Sequence, residues 1–210
     1  MLLTLLVLAT APDEQLMKRL AQHAEATADY GKTCSVTVDT IAEEYDSDGK
    51  TTKTTRSSLR VTRRDGKESR RLTKYEENGV DLTEKKRKEI ESAESKPVNS
   101  PFHPAEQPKY RFTQLADDRI GFAPAGEKTP DVITGEATID VAAGAVRFVT
   151  MQPSKMPAFV DALMLTATFD APTPIGKTMS KLTIKGTGGF LFIKKRFGVV
   201  TVFRDYEAGQ

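Results

Sequence analysis

The residues able to do chemistry are few. The chain holds two histidines, His23 and His103, and one cysteine, Cys34. A Ser-His-Asp site would need His23, on the polar flank of a helical pattern, or His103, inside Pro-Phe-His-Pro. One cysteine excludes a disulfide framework and a cysteine zinc cluster, and two histidines make a multi-histidine metal site equally unexpected. Neither metal nor cofactor is expected. Cys34 falls on a strand pattern, where a lone thiol is buried rather than reactive. Asp140, Asp161 and Asp170 are the best acids for an enzyme acting on a lipid or isoprenoid. They fall at strand ends or on outward faces, and no catalytic residue is assigned. Gly186-Thr-Gly-Gly189 lacks G-x-x-x-x-G-K-S/T and opens no helix, which phosphate binding at such a loop requires. Its glycines instead predict a sharply bent strand or a close approach to bare backbone.

Two physical patterns say more than any motif. Residues 50–74 hold ten basic side chains against Asp65 and Glu68. Such a stripe suits an anionic membrane surface or an acidic envelope protein, with Arg60, Arg63, Arg70 and Arg71 as docking residues. Only Tyr75 is nearby to stack on a base, so nucleic acid is not expected. The plainer alternative is a solvated two-stranded ribbon. The second pattern is one-sided apolar character over residues 109–206. Phe112, Phe122, Leu163, Leu165, Phe169, Leu182, Phe190 and Phe192 alternate with polar neighbours, and a sheet face built this way must be covered by something.

The elements that position these residues follow from periodicity. Leu16, Leu20, Ala24 and Ala28 recur every four residues between Asp13 and Tyr30, predicting an amphipathic helix. Pro12 and Asp13 suit its start and Gly31 its stop. Past Gly31 the period becomes two: Val36 and Val38, then Leu59 and Val61, read as a meander with turns at 46–49 and Asp65-Gly66. Asp81-Leu-Thr-Glu84 resembles a capping box for a short charged helix over 84–95. Four prolines make 97–108 a connector without regular structure. Beyond it, strand follows strand, with turns at Asp117-Asp118 and Ala142-Ala143-Gly144 and an irregular crossing at 153–159. The expected class is mainly β (α+β): a strongly curved antiparallel sheet or incomplete β-barrel of about ten strands. The N-terminal helix and the second short helix would cover its concave side.

Length and charge agree. The 210 residues are 38% apolar and carry a net charge of +2, which excludes a polytopic membrane protein and a disordered tail. Met1–Ala11 is apolar but too short for the ~20 residues that span a bilayer. It reads as a secretory signal, with Val7 and Ala9 small enough for cleavage near 9–11. No cysteine follows closely, so no lipid anchor is expected. Residues 12–210 then form a single domain.

The order of these elements resembles the LolA/LolB-like superfamily of periplasmic lipoprotein-sorting carriers. The signal run, the helix and the Cys34–Lys74 meander lead into Gly135-Glu-Ala-Thr-Ile-Asp140, Pro153-Ser-Lys-Met-Pro157 and the run Gly186–Lys194, and the likeness covers about residues 13–206. The resemblance implies an incomplete barrel that holds acyl chains on its concave face. The expectation is an exported, soluble, monomeric, non-enzymatic periplasmic carrier or binding protein, whose partner is a lipid or an acylated protein held by the eight apolar residues named above. The alternative is an envelope scaffold or sensor with a filled sheet, recognising a protein through the basic 50–74 hairpin.

Overall fold

A computed structural model describes residues 10–64, 67–93, 100–190 and 193–209. The Asp65-Gly66 turn and most of the signal run therefore lie outside the described residues. Helix α1 spans Glu14–Gly31. Asp13 caps it by accepting the Leu16 N–H at 2.8 Å, satisfying one of the four donors a helix start leaves open. The four-residue spacing does its work, because Leu16 and Leu20 are buried.

The alternating segments become β1 (Cys34–Tyr45), β2 (Thr51–Arg64) and β3 (Lys67–Glu77), followed by a two-residue β4 (Val80–Asp81). Helix α2 covers Thr83–Glu91 and stops short of the predicted Ser95. Its expected capping box is shifted: Leu82 is the N-cap, Asp81 accepts the Thr83 N–H at 2.8 Å, and Glu84 pairs with Arg87 instead. After a short 3₁₀ turn at Gln107–Lys109 come β5 (Tyr110–Ala116), β6 (Arg119–Pro124), β7 (Ile133–Asp140), β8 (Ala145–Pro153), β9 (Val160–Thr173), β10 (Gly176–Phe190) and β11 (Ile193–Ala208).

All eleven strands share one antiparallel sheet, ordered β4-β3-β2-β1-β11-β10-β9-β8-β7-β6-β5. The additional strand beyond the expected ten is β4, too short to show a period. Pairing of β1 with β11, as in Val38 opposite Phe203, joins the two ends of the chain. What results is an up-and-down meander lacking one seam, because β4 and β5, consecutive in sequence, are the two edges. This is a mainly β, open half-barrel.

The β3 edge is shielded by α2. The Leu72 N–H donates to the Glu91 carboxylate at 2.8 Å, and the Leu72 carbonyl accepts from Arg87 at 2.7 Å. Three residues on, Tyr75 N–H donates to Thr83 Oγ1 and Leu82 N–H donates to the Tyr75 carbonyl, each at 2.9 Å. Side chains and helix start thus replace a neighbouring strand, which removes a template for edge pairing.

The other helix closes one end of the concave side. Arg19 lies on Gly144 and donates to the Val141 carbonyl at 3.1 Å, His23 meets Gly176, and the Tyr30 and Tyr206 rings are 6.5 Å apart. So α1 crosses the β7–β8 turn, the β9–β10 turn and the end of β11 in succession. Gly144 has φ +61, and a Cβ there would collide with Arg19, so both the turn and the helix contact require glycine. Beneath α1, Leu16 and Leu20 join Ile120, Phe122, Ala137, Ile139 and Val149 in the core. Phe102 completes it. This residue of the proline connector is 1% exposed, stacked on Phe112 at 5.4 Å and edge-on to Phe122 at 6.2 Å.

Candidate functional site

The helix-bearing side changes character from strand to strand. Cross-strand partners share a face, so the register names the lining. One row runs Ala137–Val149–Ala167–Leu182–Thr201–Thr40–Ser57, and the next runs Gly135–Met151–Leu165–Ile184–Val199–Ala42–Thr55. On β7 and β8 these positions are core. On β9, β10 and β11 they are apolar apart from Thr201 and, apart from the buried Ala167, only partly buried, while α1 lies chiefly over β8 and α2 over β3. On β1 and β2 they turn to hydroxyls and small side chains, with Thr40 and Thr201 sharing a hydrogen bond at 3.2 Å. A third row, Leu163–Gly186–Phe197–Glu44–Lys53, ends in charge. There Lys195 pairs with Glu44 at 3.1 Å and Lys53 with Glu77 at 2.9 Å. The result is a trough, greasy on β9–β11 and hydroxylated on β1–β2, with a charged rim away from α1.

At the α1 end lie several half-buried polar groups. Burial pushes the Tyr206 phenol well above its usual range, and its hydroxyl donates to the Met179 carbonyl at 2.7 Å. Burial also pushes up the Cys34 thiol, with Arg63 acting in the opposite sense. Cys34 is thus buried, as its strand position suggested. His23 is held below its ordinary pKa by burial, and among the described residues its Nε2 and the Tyr30 hydroxyl have no hydrogen-bond partner.

The eight apolar residues expected to line one cavity are divided. Phe122 is in the closed core, with Phe112 and Phe169 packed against it. Leu163, Leu165 and Leu182 face the trough. Phe190 ends β10 with its side chain outside the described set, and Phe192 lies outside the described residues. Ile184, Phe197 and Val199 belong to the trough as well, and their alternation on β10 and β11 was the signal that could have placed them there. A cavity of about 740 Å³ opens elsewhere, at the β5–β7 edge, lined by Arg111, Leu115 and Glu136 beside Phe112 and Phe122. It is wide open, and we read the trough as the better site because several strands converge apolar side chains on it. The glycine run behaves as expected of a close approach: a Cβ at Gly186 would strike the Phe197 ring, one at Gly188 the Phe159 carbonyl, and the β9–β10 register shifts at Thr187/Gly188.

Comparison with known proteins gives a distant likeness to solved structures and nothing finer. No family model matches the chain, and no curated protein matches its sequence. Among solved structures it is similar to a LolA superfamily protein from Nitrosomonas europaea, at TM-score 0.39 and 8% identity, covering 92% of this chain and 94% of that one. It is also similar to the Pseudomonas aeruginosa MucA/MucB complex, at TM-score 0.26 and 8% identity, covering 93% and 98%. The likeness to the LolA superfamily is one of fold. No residue role is carried across.

The four arginines of the basic hairpin do not share a surface. Arg60 and Arg71 are cross-strand partners on the convex side, whereas Arg63 and Arg70 lie on the concave side with Val61. Glu68 sits between the latter two, at 2.7 Å from Arg63 and 2.6 Å from Arg70. Arg60 reaches Glu207 at 2.5 Å, and Arg71 is exposed. The three acids are also apart: Asp140 accepts the Ala143 N–H at 3.0 Å, while Asp161 and Asp170 are exposed near opposite ends of β9. His103 accepts the Ala105 N–H through Nδ1 at 3.2 Å. Among the described residues no group of three or more metal-ligating side chains converges, and no helix is long and apolar enough to cross a membrane.

Proposed function

We propose that residues 12–210 form one exported, non-enzymatic periplasmic unit that holds an acyl chain or similar apolar group along the trough. One observation carries this reading. The concave side of β9–β11 presents Leu163, Leu165, Leu182, Ile184, Phe197 and Val199 in register, and both helices make their main contacts elsewhere, α1 on β8 and α2 on β3. Each methylene removed from water there contributes ~0.8 kcal/mol, so a long chain binds without dedicated polar contacts. Loading needs no displacement of α1, which closes the far end. The charged rim of Glu44, Lys53, Glu77 and Lys195 leaves the polar end of such a guest in water.

Native mass spectrometry of protein purified from cells tests the reading. Co-purified lipid is expected, and it should be lost in Ile184→Asp while the far-ultraviolet spectrum is kept. A clean apo mass after mild desalting counts against it. Export is supported by the leader pattern, and cleavage after Ala9 would keep the contact in which the Thr10 carbonyl accepts the Gln114 N–H at 2.8 Å. N-terminal sequencing of the mature protein should therefore begin at Thr10.

The filled β5–β8 half favours a second reading, an envelope scaffold or sensor that recognises a protein. In that case reversing Arg60, Arg63, Arg70 and Arg71 removes a protein partner and leaves lipid content unchanged.

A further inference from the structure

The convex side of the same strands carries a different pattern. Ile41, Met164 and Val202 point outward and are 43%, 42% and 38% exposed. Each has a cation directly across the ladder: Arg56 opposite Ile41, Lys185 opposite Met164, Lys181 opposite Val202. These three cations are exposed and form no ion pair among the described residues. Four carboxylates of this face are already engaged. Asp39 is held by Arg204 at 2.6 Å and Glu207 by Arg60 at 2.5 Å, while Glu76 pairs with Lys74 at 3.0 Å and Glu43 accepts the Tyr45 hydroxyl at 2.6 Å.

We infer that this convex face docks on an anionic bilayer surface. The interleaving decides between a bilayer and an acidic protein. Protein interfaces gather apolar side chains into a core depleted of charge and push polar groups to the rim. Here Ile41, Met164 and Val202 each have a cation beside them, which suits headgroup phosphates at the same depth as shallowly inserted side chains. The surface takes in Arg60 and Arg71 of the basic hairpin but not Arg63 and Arg70, which face the other way. It is independent of what fills the trough, since the two faces share a backbone and no side chains.

Co-sedimentation of the whole chain with vesicles tests the inference. Phosphatidylcholine vesicles containing one part in four phosphatidylglycerol should pellet the protein at low salt, and pure phosphatidylcholine vesicles should not. Lys181→Glu with Lys185→Glu should lower partitioning at least about tenfold, given that each surface cation contributes on the order of 1 kcal/mol. Lys85→Glu with Lys88→Glu on α2 makes the same net-charge change and should bind as the wild type does. Ile41→Thr with Val202→Thr keeps strand-forming residues and should weaken binding once salt is raised. Circular dichroism verifies that each variant is folded. Failure of the wild type to pellet with anionic vesicles overturns the inference and leaves an acidic protein as the complement. Equal loss in the α2 and β10 reversals, or none in the β10 reversal, overturns it too.

Discussion

One continuous sheet has two halves that solve the same problem differently. Under α1, strands β5–β8 are covered by Leu16, Leu20 and Phe102, and Ile120 and Ala137 are 0% exposed. Across β9–β11 and β1 the same alternation continues, yet Leu182, Ile184, Phe197 and Val199 stay only partly buried, and the described helices make their main contacts elsewhere, α1 on β8 and α2 on β3. A strand pattern therefore states that a face is apolar without stating what covers it. In this protein the answer changes within a few strands, and the function we propose rests on the half where the described helices supply little of the cover.

Paired substitutions can sharpen or break that contrast. Phe102→Ala should cost about 3–5 kcal/mol in urea unfolding, since it leaves a cavity among close-packed rings. Phe197→Ala, partly buried beside the trough, should cost about 1–2 kcal/mol; equal costs would abolish the distinction between the halves. Next come two glycines. At Gly135 a Cβ would overlap the Thr150 carbonyl oxygen and meet Met151 Cα at 2.8 Å, and neither backbone atom can swing away. Gly135→Ala should cost about 2–3 kcal/mol. Gly186→Ala meets the tip of the Phe197 ring, which has the trough to move into, so its cost should stay under about 1 kcal/mol. At the protected edge, Glu91→Ala leaves the Leu72 N–H without its partner and should cost about 1–2 kcal/mol.

The smallest effect is a pH dependence. Burial holds His23 below its ordinary pKa in the fold, so the unfolded chain takes up the proton first. Stability is then full above the ordinary imidazole value of about 6.5. It falls as pH drops below that value and levels off beneath the folded pKa. Thermal unfolding between about pH 7 and 5 should show a shallower decline for His23→Gln than for the wild type.

Much of the fold was legible. Asp13 at the cap, the four-residue leucine and alanine spacing, and Gly31 place α1 within a residue of its observed ends. Alternation marked the long strands, and turn chemistry marked Asp117-Asp118 and Ala142–Gly144, because these signals depend on neighbours a few positions away. The candidate site was legible only in part. Phe112 and Leu165 look alike in a sequence, each apolar and on an alternating strand, but Phe102 stacks on the first while the second stays partly buried away from the main helix contacts. Nothing within the strand distinguishes them. The proline connector looked like a linker because regular structure was excluded there, yet a short irregular segment can still insert one ring. The basic hairpin looked like one surface because neighbouring cations in sequence were counted without their strand parity.

Local periodicity determined that this chain makes an antiparallel meander, one amphipathic helix and a face too apolar to leave in water. Those properties arise from backbone geometry repeating every two or 3.6 residues. Tertiary structure alone decided that β1 meets β11, that the seam falls between β4 and β5, and that α1 and Phe102 cover one half of the concave side. Each of those outcomes joins residues far apart in the chain through packing and hydrogen bonding, so no window of the sequence contains both partners.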